Sequence, residues 1–597
     1  MKKNRVRARG SVIAGLAVPA IVLAFAGTSV AATPSPSPDV VQGIAGSSSP
    51  RVSHSQRLDA APAQQQRTIK VSLAPHNVAI LDALLANVND PASPQYRHFL
   101  TSAEYAARFA PTQAEVDSVA AVLKAKGLSI DAVGPGNHYV SASGNVSQLQ
   151  NLFKTNLSQY RDSQTGTDFT GADSDVKVPQ SLAGLITDVS GLTDEGKILR
   201  PASYKAPVDA ATLQTEAKAV TDKGSGVKGG FTPKELNSGY NTASISGAAQ
   251  GAGQTIALVE FSGHKQSHVT TYNTQYNISA ATLQDVNVDG GPGTPDEGQG
   301  EVGLDIQVLH AVAPKASILN YQAPNTDAAD IDLYTAIIND NKASIVSSSW
   351  GNAENQSTQS HITALSNIFK QATAQGQTIL SASGDHGASD DWSNNNDAKL
   401  TVDSPSSDPN VTGVGGTRLS IDSNTGAWAG EAVWNDYVKS GDTWRGATGG
   451  GVSTFFARPS WQTGAGVNTS QKRQVPDISS AAAEFQYSIY SENYDSNGND
   501  LGEGWSASAG TSAAAPLNAG FLALVSNQGG GSVGFGNVNP AIYKAAAANP
   551  SAFHDITSGT NSIVGKSSSY AVTAGFDKAT GWGSPNFPAY GTELLKK

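Results

Sequence analysis

From Gly230 onward, short apolar runs alternate with segments of helical period, and no other feature of this chain restricts its fold as much. Residues 255–259, 316–321, 343–347 and 378–381 are apolar or small at nearly every position, which suits strands buried on both faces. Helical patterns fill the spaces between them, at 302–311, 328–339 and 361–375. Strands joined through helices pair in parallel, with the helices covering the sheet. The pattern therefore predicts an α/β domain over residues 230–597. Reactive groups in such folds gather beyond the carboxyl ends of the strands.

The chain ahead of this domain divides into four parts. Residues 1–32 read as a secretory signal: Lys2, Lys3, Arg5, Arg7 and Arg9 precede an apolar stretch at 12–27 and small residues at 29–32. The apolar stretch is shorter than the roughly 20 residues that span a bilayer, so a secreted product is expected. Residues 33–66, rich in Pro, Ser, Ala and Gln, read as a disordered linker. Residues 67–193 carry strand patterns at 68–73, 128–133 and 138–142 and helical patterns at 78–88, 112–126 and 146–153, which predicts a smaller α+β module. Residues 194–229 lack a sustained apolar period and read as an exposed connection open to proteolytic cutting.

Composition removes several chemistries. With no cysteine, disulfides, zinc–thiolate sites and thiol catalysis are excluded. A net charge of -11, without a basic stripe, argues against a nucleic-acid partner. His264 and His268 stand four apart and could share a helical face, but the Ser, Gln and Lys around them read as solvated surface rather than as a metal site.

Ser512 lies among small residues, Gly510-Thr511-Ser512-Ala513, directly ahead of an apolar helical run. Such a turn exposes a hydroxyl, and the helix behind it aims N–H groups at developing negative charge. A plain turn that starts a helix would look the same. A nucleophilic Ser needs a base, and no His stands in a motif that would supply one. Glu301 and Asp305, one helical turn apart, are the candidates. Two carboxyls so placed share a proton and raise one apparent pKa, which suits base work in acid. Two acids on a solvated helix face would have the same spacing. Asp385, in Ser383-Gly384-Asp385-His386-Gly387 at the end of a predicted strand, could donate to an oxyanion when protonated, bind calcium or form a turn. Asp555 and Asp577 stand in glycine-rich turns that fit either a calcium cage or plain turn chemistry.

Together these stretches resemble the sedolisin family of serine-carboxyl peptidases, over almost everything after residue 66. Gly510-Thr511-Ser512-Ala513 with Pro516 looks like its nucleophile motif. Glu301, Leu304, Asp305 and Ile306 look like its Glu/Asp motif, and Ser383-Gly384-Asp385 with Gly387 like its oxyanion motif. Ser349-Trp350-Gly351, Gly449-Gly450-Gly451 and Val475-Pro476-Asp477 are further matches, and Ser93-Pro94 through Pro111 resembles the family's activation propeptide.

The resemblance implies a subtilisin-like α/β catalytic domain, its parallel sheet flanked by helices, behind a smaller α+β (ferredoxin-like) propeptide. It makes Ser512 the nucleophile, Glu301 the base, Asp305 its support and Asp385 the oxyanion donor. One structural calcium is expected, on the side chains of Asp555 and Asp577 and the carbonyls of Ile556, Thr573 and Gly575. The expected product is a monomeric, secreted, acid-active endopeptidase, insensitive to pepstatin and made as an autoprocessed zymogen. Its partners would be protein and peptide substrates and its own propeptide as intramolecular inhibitor, with no nucleic acid and no membrane. A tripeptidyl-peptidase of the same family, a silent binding protein with the fold and a Ser-His-Asp subtilase are the alternatives. His386, and Ala481 and Ala483 where acids are expected, depart from the family pattern.

Overall fold

The computed structural model describes residues 40–194, without 164–165, and 200–596, without 202–203, 207–219, 247–248, 295, 297, 392–398, 438–445, 485, 495–499, 531–533 and 564–568. The signal segment 1–32 and residues 33–39 lie outside the described residues.

Seven strands of the catalytic domain pair in parallel: β1 (Thr255–Glu260), β2 (Leu283–Asn287), β3 (Ser317–Gln322), β4 (Ile345–Ser348), β5 (Thr378–Ala382), β6 (Val411–Asp422) and β7 (Ile478–Ala481). Their spatial order is β2-β3-β1-β4-β5-β6-β7. Two antiparallel strands, Trp428–Val433 and Val220–Thr221, add to β6.

Successive side chains of a strand leave opposite faces, and β1 shows how the sheet divides two cores. Ile256 and Leu258 join the core of the helices Gln299–Val312 and Thr511–Gln528. Ala257 and Val259 join that of Asp327–Asp340 and Gln359–Ala374. All four are 0% exposed, so the continuous apolar runs are strands covered on both sides. The edge strand β2, Leu-Gln-Asp-Val-Asn, has only half-buried and exposed positions and carries no such run.

The helix Gln299–Val312 is buried at every position. It packs between the helix Thr511–Gln528 and the hairpin of Tyr487–Tyr494 with Asp500–Ala509. A helix enclosed on all sides holds its polar side chains in the interior, and this one begins with Gln299, Glu301 and Asp305.

The N-terminal module is a four-stranded antiparallel sheet in the order Ser129–Val133, Tyr139–Asn145, Gln66–Leu73, Ile186–Ser190. Helices Val78–Val88, Ser102–Phe109 and Gln113–Ala125 follow its first strand and Val146–Phe153 its third, which is a ferredoxin-like βαββαβ arrangement. Two expectations are corrected here. From Val40 the chain is no free linker: Ser55–Ala60 pairs with Leu157–Asp162, Val41–Gly43 pairs with Lys177–Pro179, and the Asp175 carboxylate accepts from the N–H groups of Ser47 and Ser48. Nor is 194–229 simply exposed, because Arg200–Pro201 and Tyr204–Ala206 form strands on the catalytic domain. Low apolar content hid both segments, since backbone pairing to a neighbouring edge needs no apolar period.

Candidate active site

Gly510 turns the chain from the strand Asp500–Ala509 into the helix Thr511–Gln528 at φ +130, a backbone conformation that favours glycine. Ser512 follows in the first turn of that helix and is fully buried. Four residues on, Pro516 has no N–H to give the Ser512 carbonyl. That carbonyl faces the Ser349 hydroxyl instead, at 3.0 Å. Ser349 follows β4 directly, and its Oγ also lies 2.9 and 2.8 Å from the two Asp305 oxygens. The Ser512 hydroxyl donates weakly to the Ser349 carbonyl, at 3.4 Å. Ser349 thus links the nucleophile's backbone to Asp305.

Glu301 and Asp305 are 2% and 0% exposed, which removes the solvated-face reading of their spacing. A third carboxyl joins them. Glu260 ends β1, fully buried, and accepts from the Trp350 indole N–H at 2.8 Å. Burial, then the charges of Glu260 and Glu301, push the Asp305 carboxyl well above its usual range. Burial likewise raises Glu260, against the Trp350 hydrogen bond that holds it down. Glu260 stands in no motif, and its place at the carboxyl end of a central parallel strand is the one signal the sequence carries for it.

Asp385 lies in the turn after β5, 3% exposed. Its Oδ1 accepts from the Thr511 N–H and hydroxyl, each at 2.9 Å, while Oδ2 has no hydrogen-bond partner among the described residues. Burial raises its pKa well above the carboxylate range, the Thr511 bonds lower it, and the charges of Asp390 and Glu301 raise it. Asp390 accepts from the His386 N–H at 2.9 Å, behind the same turn. A Cβ at Gly384, where φ is +99, would collide with the Asp390 carboxylate. The structure therefore brings Glu301, Asp305, Asp385 and Ser512 to one buried place, with Glu260 and Ser349 beside them.

Several histidines are engaged away from Ser512. His361 pairs with Asp330, His310 with Asn273, His264 with Asp285, and His554 stacks on Trp428. His264 and His268 are buried rather than solvated, with side chains 4% and 3% exposed.

The connecting segment brackets the nucleophile. Arg200 and Pro201 pair antiparallel with Gly351 and Trp350, beside Ser349. Tyr204, Lys205 and Ala206 pair antiparallel with Ala509, Ser508 and Ala507, just ahead of Ser512. Each stretch adds to a strand edge next to the nucleophile, as an extended peptide can.

At the C-terminus, Asp555 Oδ2 accepts from the Gly575 N–H at 2.9 Å, closing its loop, which carries Ile556, onto the loop of Thr573 and Asp577. Asp577 accepts from the N–H groups of Ala579 and Thr580 at 2.8 Å and of Thr573 at 3.2 Å, and burial pushes it up to about 6. Two carboxylates on touching loops, among backbone carbonyls, form an all-oxygen donor set of the kind calcium takes.

Comparison with known proteins gives the same direction. The description "Pro-kumamolisin, activation domain" matches residues 53–195, and "Subtilase family" matches residues 281–583. Kumamolisin of Bacillus sp. (strain MN-32) is 33% identical over 519 residues, 84% of this chain and 88% of that protein. Sedolisin of Pseudomonas sp. (strain 101) is 31% identical, covering 86% and 85%. Human tripeptidyl-peptidase 1 is 25% identical, covering 90% and 93%. Among solved structures, Pseudomonas sedolisin, a serine-carboxyl proteinase complexed with two molecules of pseudo-iodotyrostatin, superposes with a TM-score of 0.52 at 29% identity, over 61% of this chain and 98% of that one.

Proposed function

The chain belongs to the sedolisin family and is a serine-type peptidase with an activation domain, and from that premise we propose that it is an acid-active, secreted endopeptidase in which carboxyl groups serve Ser512. The observation that carries this is the buried set of carboxyls around the nucleophile, tied to it through Ser349. Glu301 takes the Ser512 proton as Oγ attacks the scissile carbonyl, and returns it to the leaving amine. Asp305, with Glu260 behind it, raises the proton affinity of the set and orients Glu301. Protonated Asp385 donates a hydrogen bond from Oδ2 to the tetrahedral oxyanion, a contact worth about 10²–10³ in turnover in comparable sites.

The sign of the pH dependence follows. Asp385 donates only while protonated, and burial keeps that proton above the ordinary carboxylate range. Activity is therefore present in acid and lost as pH rises through the raised pKa. A hydrolysis profile from about pH 3 to 8, for wild type, Ser512→Ala and Glu301→Gln, tests the reading. Acid-confined activity absent from both variants supports it. A neutral optimum that survives Glu301→Gln sinks it.

The antiparallel pairs at Arg200–Pro201 and Tyr204–Ala206 support an endopeptidase over a tripeptidyl-peptidase, because the cleft accepts a chain that continues on both sides of Ser512. They also support a first self-cut in the connecting segment between Pro201 and Tyr204. This separates the activation domain, which the family match covers over residues 53–195, from the peptidase that follows. Calcium at Asp555, Asp577 and the carbonyls of Ile556, Thr573 and Gly575 would tie the two C-terminal loops together. Chelation then lowers the melting temperature, and an unchanged value rules the ion out.

A further inference from the structure

Outside the cleft, His268, Glu492 and Glu503 converge, and we propose that they form a site for a divalent transition ion of the zinc type. His268 lies on the helix Gln266–Gln275, and Tyr490 packs edge-on against its ring at 5.6 Å. The side chain is 3% exposed, and Nε2 lies 3.4 Å from Glu492 Oε2 and 3.3 Å from Glu503 Oε1. Nε2 is buried and makes no well-formed hydrogen bond among the described residues, with one carboxylate oxygen of each Glu within 3.4 Å of it. An ion among these three atoms would be within reach of each.

The spacing fits a particular chemistry. A tetrahedral ion with Zn–N and Zn–O bonds of about 2.0–2.1 Å holds its ligand atoms about 3.3–3.4 Å apart. Both His268-to-carboxylate separations have this value, and all three ligand atoms lie within 4.8 Å of one another. One imidazole with two carboxylates is a donor set for zinc rather than for calcium, which takes six to eight oxygens. Glu492 and Glu503 are also direct cross-strand partners in the hairpin, where like charges repel unless a cation lies between them.

Lys265 supplies a cation in part. Its Nζ lies 2.7 Å from Glu492 Oε1 and 3.1 Å from Glu503 Oε1, and its side chain is 42% exposed. It leaves Glu492 Oε2 facing His268 and can swing into solvent when an ion enters, so Lys265 is a competitor for the site. Protons compete as well, because a ligating imidazole must be neutral. The hairpin it ties to the helix Gln266–Gln275 carries the edge that pairs with Tyr204–Ala206 and runs into Gly510 and Ser512. This proposal does not depend on which residues perform the catalysis.

Calorimetric titration of Zn2+ into the full-length Ser512→Ala chain at pH 7, with excess calcium present, tests the site. One binding event is expected, at least tenfold weaker in Glu503→Gln and in His268→Ala and tighter in Lys265→Met. Glu503 is 40% exposed, so its replacement leaves the fold in place if His268→Ala does not. No binding event in the parent, or an event unchanged in Glu503→Gln, overturns the proposal.

Discussion

Glu260 distinguishes a pair of carboxyls from a set. It adds a buried negative charge beside Asp305, with the Trp350 indole N–H as fixed donor. Glu260→Gln keeps an acceptor for that N–H and removes the charge, so Asp305 holds its proton less tightly. The expected result is an acid limb of kcat/KM displaced to lower pH and a loss of about tenfold in kcat, less than the roughly 10²–10⁴ that a positioned acid–base group itself contributes. A profile superimposable on wild type would show that Glu260 only supports Trp350. The sequence carried unequal signals for these residues. Glu301 and Asp305 were legible as a helical pair, but burial decides between a solvated face and a reactive centre, and burial comes from a hairpin some 190 residues later in the chain. Ser349 was one Ser in Ser347-Ser348-Ser349, and its meeting with Asp305 and the Ser512 carbonyl depends on the Pro516 vacancy in another helix.

At the scale of elements, the nucleophile helix trades a backbone hydrogen bond for a catalytic contact. Pro516 leaves the Ser512 carbonyl without its helical donor, and Ser349 takes that place. Pro516→Ala restores an N–H in a helix interior, where proline is unfavourable by about 3 kcal/mol, so the melting temperature is expected to rise or hold. The restored N–H competes with the Ser349 hydroxyl, which then turns toward Asp305 alone, and kcat is expected to fall severalfold with KM little changed. An unaltered kcat would show that Ser349 does not act through the Ser512 carbonyl. Continuous apolar runs gave away β1, β3, β4 and β5, because parallel strands are covered on both faces. The half-exposed edge strand β2 had no such run. The helix Ser102–Phe109 was passed over although Thr101 and Glu104 form a capping box at its start.

For the whole molecule, the question is what holds the N-terminal module on the catalytic domain and at what pH. Ser360 donates to Asp188 across the interface at 2.5 Å, and the Gly191 N–H donates to Asp327. Beside them His361 pairs with Asp330 at 2.9 Å. Burial alone would lower the His361 pKa, but Asp330, Asp188 and Asp327 push it up to about 9. A raised histidine stabilises the state that raises it fully below its ordinary value near 6.5, and loses that effect as pH climbs through about 9. Its full size is roughly 3 kcal/mol, shared between Asp330 within the catalytic domain and Asp188 from the module. Asp332 is pushed up to about 7 chiefly by burial, while Lys70 of the module, bonded to it, holds it down. The uncut Ser512→Ala chain should therefore melt a few degrees lower at pH 9.5 than at pH 6.5. His361→Gln should flatten that slope, and Asp188→Asn should flatten it in part, because only the charge that crosses the interface is removed. A slope identical in all three chains would take His361 out of the docking contact. If the slope is as expected, mild acid tightens this contact rather than undoing it. The module then stays in place until the connecting segment is cut, which makes hydrolysis within Pro201-Ala202-Ser203-Tyr204 the step that precedes release.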